Sequence, residues 1–309
     1  MYCNQKKRFP AIFLFILRTS NFGLPTSKLS FMNYFRFKLL LVFGILFFIG
    51  SDPLLAQTDD HNLAFLQAKN NVYVVAHRGA HNGIPENSLA AYQKAIDMGC
   101  DFVEIDVRTT KDGKFISVHN STIDEYVEGV KGKISEFTLD ELLALDIGSR
   151  VGSEWKNTRI PTFEEILQLC KGKIGIYLDL KAAPVPELIE IINKYGMEKD
   201  IIWYIPASRT KEINELITNC PDCFPMPDPG PESNIEDVLS KFPAKVLATD
   251  MGKLSENFVR MAHKHDVMII VDEREGTEEE WSQIINWKTD GIQTDHPEEL
   301  ILFLKNLSH

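Results

Sequence analysis

Val72-Tyr-Val-Val-Ala76, Leu89-Ala-Ala-Tyr-Gln-Lys-Ala-Ile-Asp-Met98 and Phe102-Val-Glu-Ile-Asp-Val107 follow one another along the chain with two different periodicities. The outer two are short and rich in β-branched residues, which suits strands. The middle one is amphipathic and sits behind Asn87 and Ser88, side chains that cap helix N-termini. Strand, helix and strand in that order make a βαβ unit, because parallel strands need a crossover between them. The same alternation continues to the C-terminus. Strands are predicted at Ile174–Leu180, Ile201–Ile205, weakly at Cys223–Met226, and at Val246–Thr249, Val267–Val271 and Gly291–Thr294. Helices are predicted over Glu212–Thr218 behind Ser208 and over Phe258–His265 behind Ser255. Eight such strands in one chain predict a closed (β/α)8 TIM barrel running from about residue 70 to residue 309, a size typical of that architecture.

One connection differs. Phe102–Val107 and Phe115–His119 are joined by a short link ending in Asp112-Gly113, which signals a tight reversal. With the turn near Asp112, antiparallel pairing sets residue 104 opposite about residue 120 and residue 106 opposite about residue 118. His119 is thereby expected beside Glu104 and Asp106. Residues 120–161 then form an insertion with one helix, Leu139–Leu145, expected to cap the barrel mouth. Pro225-Met-Pro-Asp-Pro-Gly-Pro231 reads as a rigid loop.

The first 57 residues stand apart. Met32-Asn-Tyr-Phe-Arg-Phe-Lys38 followed by the apolar run Leu39–Gly50 reads as the basic and hydrophobic parts of a signal peptide, with Met32 as the probable start and cleavage near Pro53–Gln57. The run is shorter than the roughly twenty residues that span a bilayer, and no cysteine follows it closely, so neither a membrane anchor nor a lipid attachment is expected. The exported chain would be periplasmic or secreted. In that setting Cys220-Pro-Asp-Cys223 reads as a local disulfide or a pair of free thiols rather than half a zinc site, since no second ligand pair completes it. The formal charge of −11 argues against nucleic acid as a partner and leaves a small anionic substrate possible only if the site is locally positive.

The polar residues that end the strands supply that site. His77-Arg78 closes the first strand, where barrel active sites lie. Glu104 and Asp106, two apart on a strand, point to one face and repel unless a cation lies between them. Asp179 and Lys181 repeat the spacing on another strand: the carboxylate suits a metal, the ammonium a phosphoryl oxygen.

Together, His77-Arg-Gly79 with Pro85-Glu-Asn-Ser88, Val103-Glu-Ile-Asp-Val107, Asp112-Gly113, Val118-His119, Leu145-Asp-Ile-Gly148, Ile160-Pro-Thr-Phe163, Asp179-Leu-Lys181 and Gly291-Ile-Gln-Thr-Asp-His-Pro297 resemble, in order, the glycerophosphodiester phosphodiesterase family. The resemblance implies hydrolysis of glycerophosphodiesters to glycerol 3-phosphate and an alcohol, with His77 and His119 as the acid/base pair. It further implies one divalent cation, Ca²⁺ or Mg²⁺, on Glu104, Asp106 and Asp179. Arg78, Lys181, Glu86 and Asn87 would bind substrate or shape its phosphate site. Three departures stand out against the family pattern: Asp179 replaces the usual Glu, Asn120 replaces the Asp that usually follows the second histidine, and Val271-Asp-Glu-Arg274 replaces an aromatic motif. A phospholipase on a related barrel would need an apolar rim, which polar loops such as Asp222–Asn234 do not offer. A binding protein that has lost catalysis is disfavoured by retention of both histidines.

Overall fold

A computed structural model describes residues 67–307. In chain order the strands are β1 (Tyr73–Ala76), β2 (Phe102–Thr109), β3 (Phe115–Ser117), β4 (Gly175–Ala182), β5 (Ile201–Pro206), β6 (Phe224–Asp228), β7 (Val246–Asp250), β8 (Met268–Asp272) and β9 (Gly291–Thr294). The helices are α1 (Leu89–Met98), α2 (Leu139–Leu143), α3 (Phe163–Cys170), α4 (Val185–Tyr195), α5 (Thr210–Asn219), α6 (Ile235–Lys241), α7 (Glu256–His263), α8 (Glu278–Asn286) and α9 (Pro297–Leu307). None of the described helices is long and apolar enough to cross a membrane. The leader expected over residues 1–57 lies outside the described residues.

Eight strands run parallel in the order β6-β5-β4-β2-β1-β9-β8-β7, with β3 paired off β2, so a nearly closed (β/α)8 barrel forms. The seam falls between β6 and β7. Pro225 and Pro227 explain it, because residues of like parity on a parallel strand address the same neighbour and prolines have no N–H to donate. The ladder to β5 survives, with Trp203 opposite Pro225 and Ile205 opposite Pro227. The segment expected to be a rigid loop from Pro225 therefore begins as strand, and the loop proper starts after Asp228.

Parity also sorts the two hydrophobic layers. Val74, Val103, Ile105, Leu178, Trp203, Leu247 and Ile269 face the helices, while Val75, Phe102, Tyr177, Ile202, Met226, Ala248 and Ile270 fill the barrel. Gly175 on β4 makes the floor possible, since a Cβ there would lie 2.6 Å from the Phe102 ring.

Ser88 caps α1, accepting from the Ala91 N–H, and Ser255 caps α7, accepting from the Phe258 N–H. Before α5 the expected cap at Ser208 is replaced by Arg209, whose side chain makes no capping bond. The hairpin forms with Val107 opposite Ser117 and the Val118 N–H donating to the Asp106 carbonyl at 2.9 Å, the register read from the turn. The insertion has its own small core, Ile123, Tyr126, Ile134, Leu142, Ile147 and Ile160, packed on Ile116 and Val118 of the hairpin. Its helix α2 stops at Leu143, short of the expected Leu145.

Candidate functional site

The parity that sends Val75, Phe102, Tyr177 and Ile270 inward also sends inward the polar residues that end the same strands. Register does the rest: Glu104 pairs with Tyr177, Asp106 with Asp179, Asp250 with Asp272 and Asp272 with Gln293. The C-terminal mouth is therefore a ring of side chains built from eight strands.

On one side Glu104, Asp106 and Asp179 converge, each offering an oxygen within 4.8 Å of the others. Glu104 and Asp106 are 2% and 0% exposed. Burial and the two facing carboxylates push the Glu104 pKa well up, against a single backbone N–H, that of Arg78, at 2.8 Å. The Lys181 ammonium bridges Asp179 Oδ2 at 2.5 Å and Asp106 Oδ1 at 3.2 Å, the latter as an ion pair without hydrogen-bond alignment, so Asp106 Oδ1 is buried without a donor. Three carboxylates, one of them carrying an unbonded buried oxygen, form an oxygen-only donor set that fits a hard divalent cation.

Arg78 sits at φ +53°, a conformation that turns its amide toward Glu104, and its guanidinium reaches Glu86 at 3.2 Å and Asp106 at 3.7 Å. Glu86 also accepts from the Tyr126 hydroxyl at 3.1 Å, tying the insertion to the mouth. Asn87 is placed differently from a substrate ligand. It is 1% exposed and its amide is engaged at both ends, donating to Asp106 Oδ2 at 2.8 Å and accepting from the Tyr92 and Ser117 hydroxyls, each at 2.8 Å. Asn87 thus aims Asp106 from behind.

His77 is buried, with Nδ1 2.5 Å from Asp295 Oδ1. A proton on Nδ1 donated to the carboxylate leaves Nε2 as the free basic nitrogen. Burial lowers the His77 pKa, and Arg274 and Arg78 add to this against the opposing pull of Asp295. Burial acts to raise Asp295 itself, but the His77 bond and the charges of His77, His81 and Arg274 more than offset it and hold it at about 2. His119 is half-buried, its Nδ1 2.9 Å from the Asn120 side-chain oxygen, and its backbone carbonyl accepts from Arg108 at 2.5 and 3.0 Å. It lies within electrostatic reach of Asp106 and Asp179.

The sequence reading touched the opposite side of the mouth only through Val271–Arg274. Asp228, Asp250 and Asp272 end β6, β7 and β8, and all three bear on the Tyr204 hydroxyl, whose pKa is pushed up chiefly by burial. Lys253 pairs with Asp250 and lies 3.5 Å from Asp228, while Arg274 pairs with Asp272 at 2.5 and 2.7 Å. The signal was present as an Asp at the end of each late strand, visible only once all are recognised as inward-facing. His263 and His265 pair with Asp290 and Glu236. Cys220 and Cys223 form a disulfide.

With this geometry in hand, similarity to known proteins becomes interpretable. Residues 77–222 match the glycerophosphoryl diester phosphodiesterase family. The Bacillus subtilis protein YhdW is 41% identical over 130 residues, 42% of this chain and 50% of that protein. A glycerophosphodiester phosphodiesterase of Caldanaerobacter subterraneus is 35% identical over 136 residues, 42% of this chain and 56% of that protein. The chain thus spans about half the length of these relatives. An Oleispira antarctica phosphodiesterase solved with the product sn-glycerol-3-phosphate shares the fold, with a TM-score of 0.68 at 21% identity over 75% of this chain and 96% of that one. The matched segment holds the two histidines and the three carboxylates that meet at the barrel mouth, and over residues 77–222 the family match, the relatives and the shared fold all support the glycerophosphoryl diester phosphodiesterase family.

Proposed function

We propose that this protein hydrolyses glycerophosphodiesters to glycerol 3-phosphate and an alcohol, with a divalent cation, Ca²⁺ or Mg²⁺, as cofactor and with His77 and His119 transferring protons. The observation that carries the reading is the joint placement of an Asp295-backed imidazole and a buried three-carboxylate cluster at one barrel mouth. Two further findings support it: the family match, and the glycerol 3-phosphate product bound by the Oleispira relative.

Glu104, Asp106 and Asp179 would hold the cation, which when bound supplies positive charge to the phosphoryl oxygens. Asn87 keeps Asp106 aimed inward, and Arg78 fixes Glu104 through its backbone amide. His77, held toward its neutral form by burial and by two arginines, is suited to take the proton from the attacking hydroxyl at Nε2. Asp295 then stabilises the imidazolium that results. His119, with Nδ1 on the neutral Asn120 amide, is suited to give a proton to the leaving alkoxide. Arg78 and Lys181 are the nearest cations for the phosphoryl group on this side. Export to a periplasm or outside the cell is part of the same proposal, and the Cys220–Cys223 disulfide supports it.

The test is release of glycerol 3-phosphate from glycerophosphocholine by the protein lacking the residues before Gln57, compared in EDTA, Ca²⁺ and Mg²⁺, with His77→Ala alongside. Metal-dependent release that disappears in His77→Ala is expected. Absence of release from this and other glycerophosphodiesters under every metal condition would overturn the assignment and favour a binding role.

A further inference from the structure

Beyond the effect of its charge on His77, Arg274 has no role in the reading above, yet the fold goes to some length to place it. It stands two residues past β8, next to β9, whose strand end carries the Asp295 that holds His77. The loop that bears it is fixed from below by Glu273, which is fully buried. The Glu273 carboxylate accepts from the Trp281 indole N–H and from the Gly276 N–H, both at 2.7 Å, and its own N–H donates to the Gln293 carbonyl at 2.8 Å. Gly276 adopts φ +68°, and a Cβ there would lie 2.3 Å from the His296 ring, so the loop can close only with glycine.

On this rigid support the guanidinium is aimed by Asp272, which accepts from Nε at 2.5 Å and from Nη2 at 2.7 Å. Asp272 is itself braced by the Gln293 amide at 3.0 Å. Among the described residues Nη1 makes no hydrogen bond or ion pair, and the side chain is 40% exposed. Its charge acts on His77, Asp295 and Glu104, and its Asp272–Gln293 brace ties it to β9, the strand that leads to Asp295. The two cations on the other wall are differently engaged: Arg78 is paired with Glu86 and Asp106, and Lys181 with Asp106 and Asp179. Arg274, engaged only through Nε and Nη2 among the described residues, keeps the N–H groups of Nη1 available on a partly exposed side chain.

We propose that Arg274 is a phosphoryl-binding residue, gripping a non-bridging oxygen of the substrate phosphodiester and of the phosphate product from the wall opposite Glu104, Asp106 and Asp179. The assignment rests on the phosphodiesterase reading. A planar guanidinium already locked on one side by a carboxylate offers its remaining N–H groups in a fixed direction, which suits a phosphate oxygen better than a mobile ammonium would.

The experiment uses Arg274→Gln, Arg274→Lys and the double variant Asp272→Asn/Arg274→Gln in the metal-loaded protein. Turnover of glycerophosphocholine is measured together with calorimetric binding of inorganic phosphate and of glycerol 3-phosphate. Loss of one charged donor to the reacting group is expected to lower kcat/KM by about a hundredfold and to weaken phosphate binding by about tenfold. Arg274→Lys should recover part of both. The double variant removes both partners of the ion pair, so its stability should approach the parent's while phosphate binding stays weak. Should Arg274 serve only to neutralise Asp272, Arg274→Gln would lower Tm and leave phosphate affinity and kcat/KM unchanged, which overturns the proposal. Turnover by the parent that is insensitive to Arg274→Gln sinks this assignment alone. No turnover by the parent, with this or other glycerophosphodiesters under every metal condition, sinks the phosphodiesterase reading, and the phosphate-binding arm still decides the role of Arg274.

Discussion

Replacing Asp295 by Asn tests the proton-transfer apparatus at the point where the structure is most specific. The 2.5 Å contact between Asp295 Oδ1 and His77 Nδ1 is a charge-assisted bond whenever the imidazole is protonated. Hydrogen bonds to charged groups contribute about 1.5–3 kcal/mol and neutral ones about 0.5–1.5 kcal/mol, so an amide oxygen in the same place forfeits roughly 1–1.5 kcal/mol of stabilisation of the imidazolium. At 1.36 kcal/mol per factor of ten, this is roughly a five- to thirteenfold loss in kcat, provided the Asn oxygen still faces Nδ1. An Asn that instead presents its NH₂ would force the proton onto Nε2 and remove the free basic nitrogen, a much larger loss, and Asp295→Ala bounds that case. The pH profile carries a sign. Asp295 raises the His77 pKa against the lowering by burial, Arg274 and Arg78, so its neutralisation drops that pKa further. A base works when deprotonated, and the acid limb of kcat/KM should therefore move to lower pH in Asp295→Asn. Steady-state kinetics from pH 4 to 9 on the metal-loaded protein read both effects. An unchanged kcat, or an acid limb that stays put or moves to higher pH, would refute the coupling of these two residues.

Three further outcomes follow from other parts of the fold. In EDTA, adding a divalent cation to about 100 times its Kd should stabilise the protein by about 2.7 kcal/mol, roughly 5–10 °C in Tm for a domain of this size, whereas Glu104→Gln should raise the Tm in EDTA by relieving carboxylate repulsion and abolish the metal-induced rise. Differential scanning calorimetry separates the two. Cys100 and Cys170, buried and with thiols pushed up to about 12, should resist a disulfide-exchange reagent in the native state and react only on unfolding, whatever the state of the Cys220–Cys223 bond. Gly175→Val should cost about 1–3 kcal/mol by denaturant titration, because its side chain must displace the Phe102 ring from the barrel floor.

The barrel was legible because its strands are β-branched runs with polar residues confined to their C-terminal ends, and the hairpin register followed from one Asp-Gly turn. What stayed hidden depends on partners far apart in sequence. The weakness of β6 as a predicted strand has a physical meaning, since Pro225 and Pro227 deny one edge its donors and leave the seam there. Asn87 looked like a site residue from its position beside Glu86. Only the fold shows that its amide bonds Asp106, Tyr92 and Ser117, which makes it a support for a candidate metal ligand. Asp295 stood in a recognised motif without a role until β9 was placed against β1, with Ala76 opposite Thr294.

Three carboxylates of the mouth follow a local rule that Asp106 breaks, and the break marks the candidate metal centre. Asp179 is paired with Lys181, Asp250 with Lys253 and Asp272 with Arg274: each of these three recruits a cation two or three residues downstream. Asp106 has such a cation available in Arg108, but Arg108 turns away to the carbonyls of Val118 and His119 and spends itself fixing the loop that carries the second histidine. Glu104 and Asp106, the most deeply buried acids of the mouth, are thereby left to share the offset Arg78 and Lys181 already in use elsewhere. Unpaired buried carboxylates cost several kcal/mol unless protonated or matched by positive charge. Glu104 answers with a raised pKa, and a divalent cation bound here, as proposed, would remove the same imbalance and leave Lys181 free to turn toward a phosphoryl oxygen.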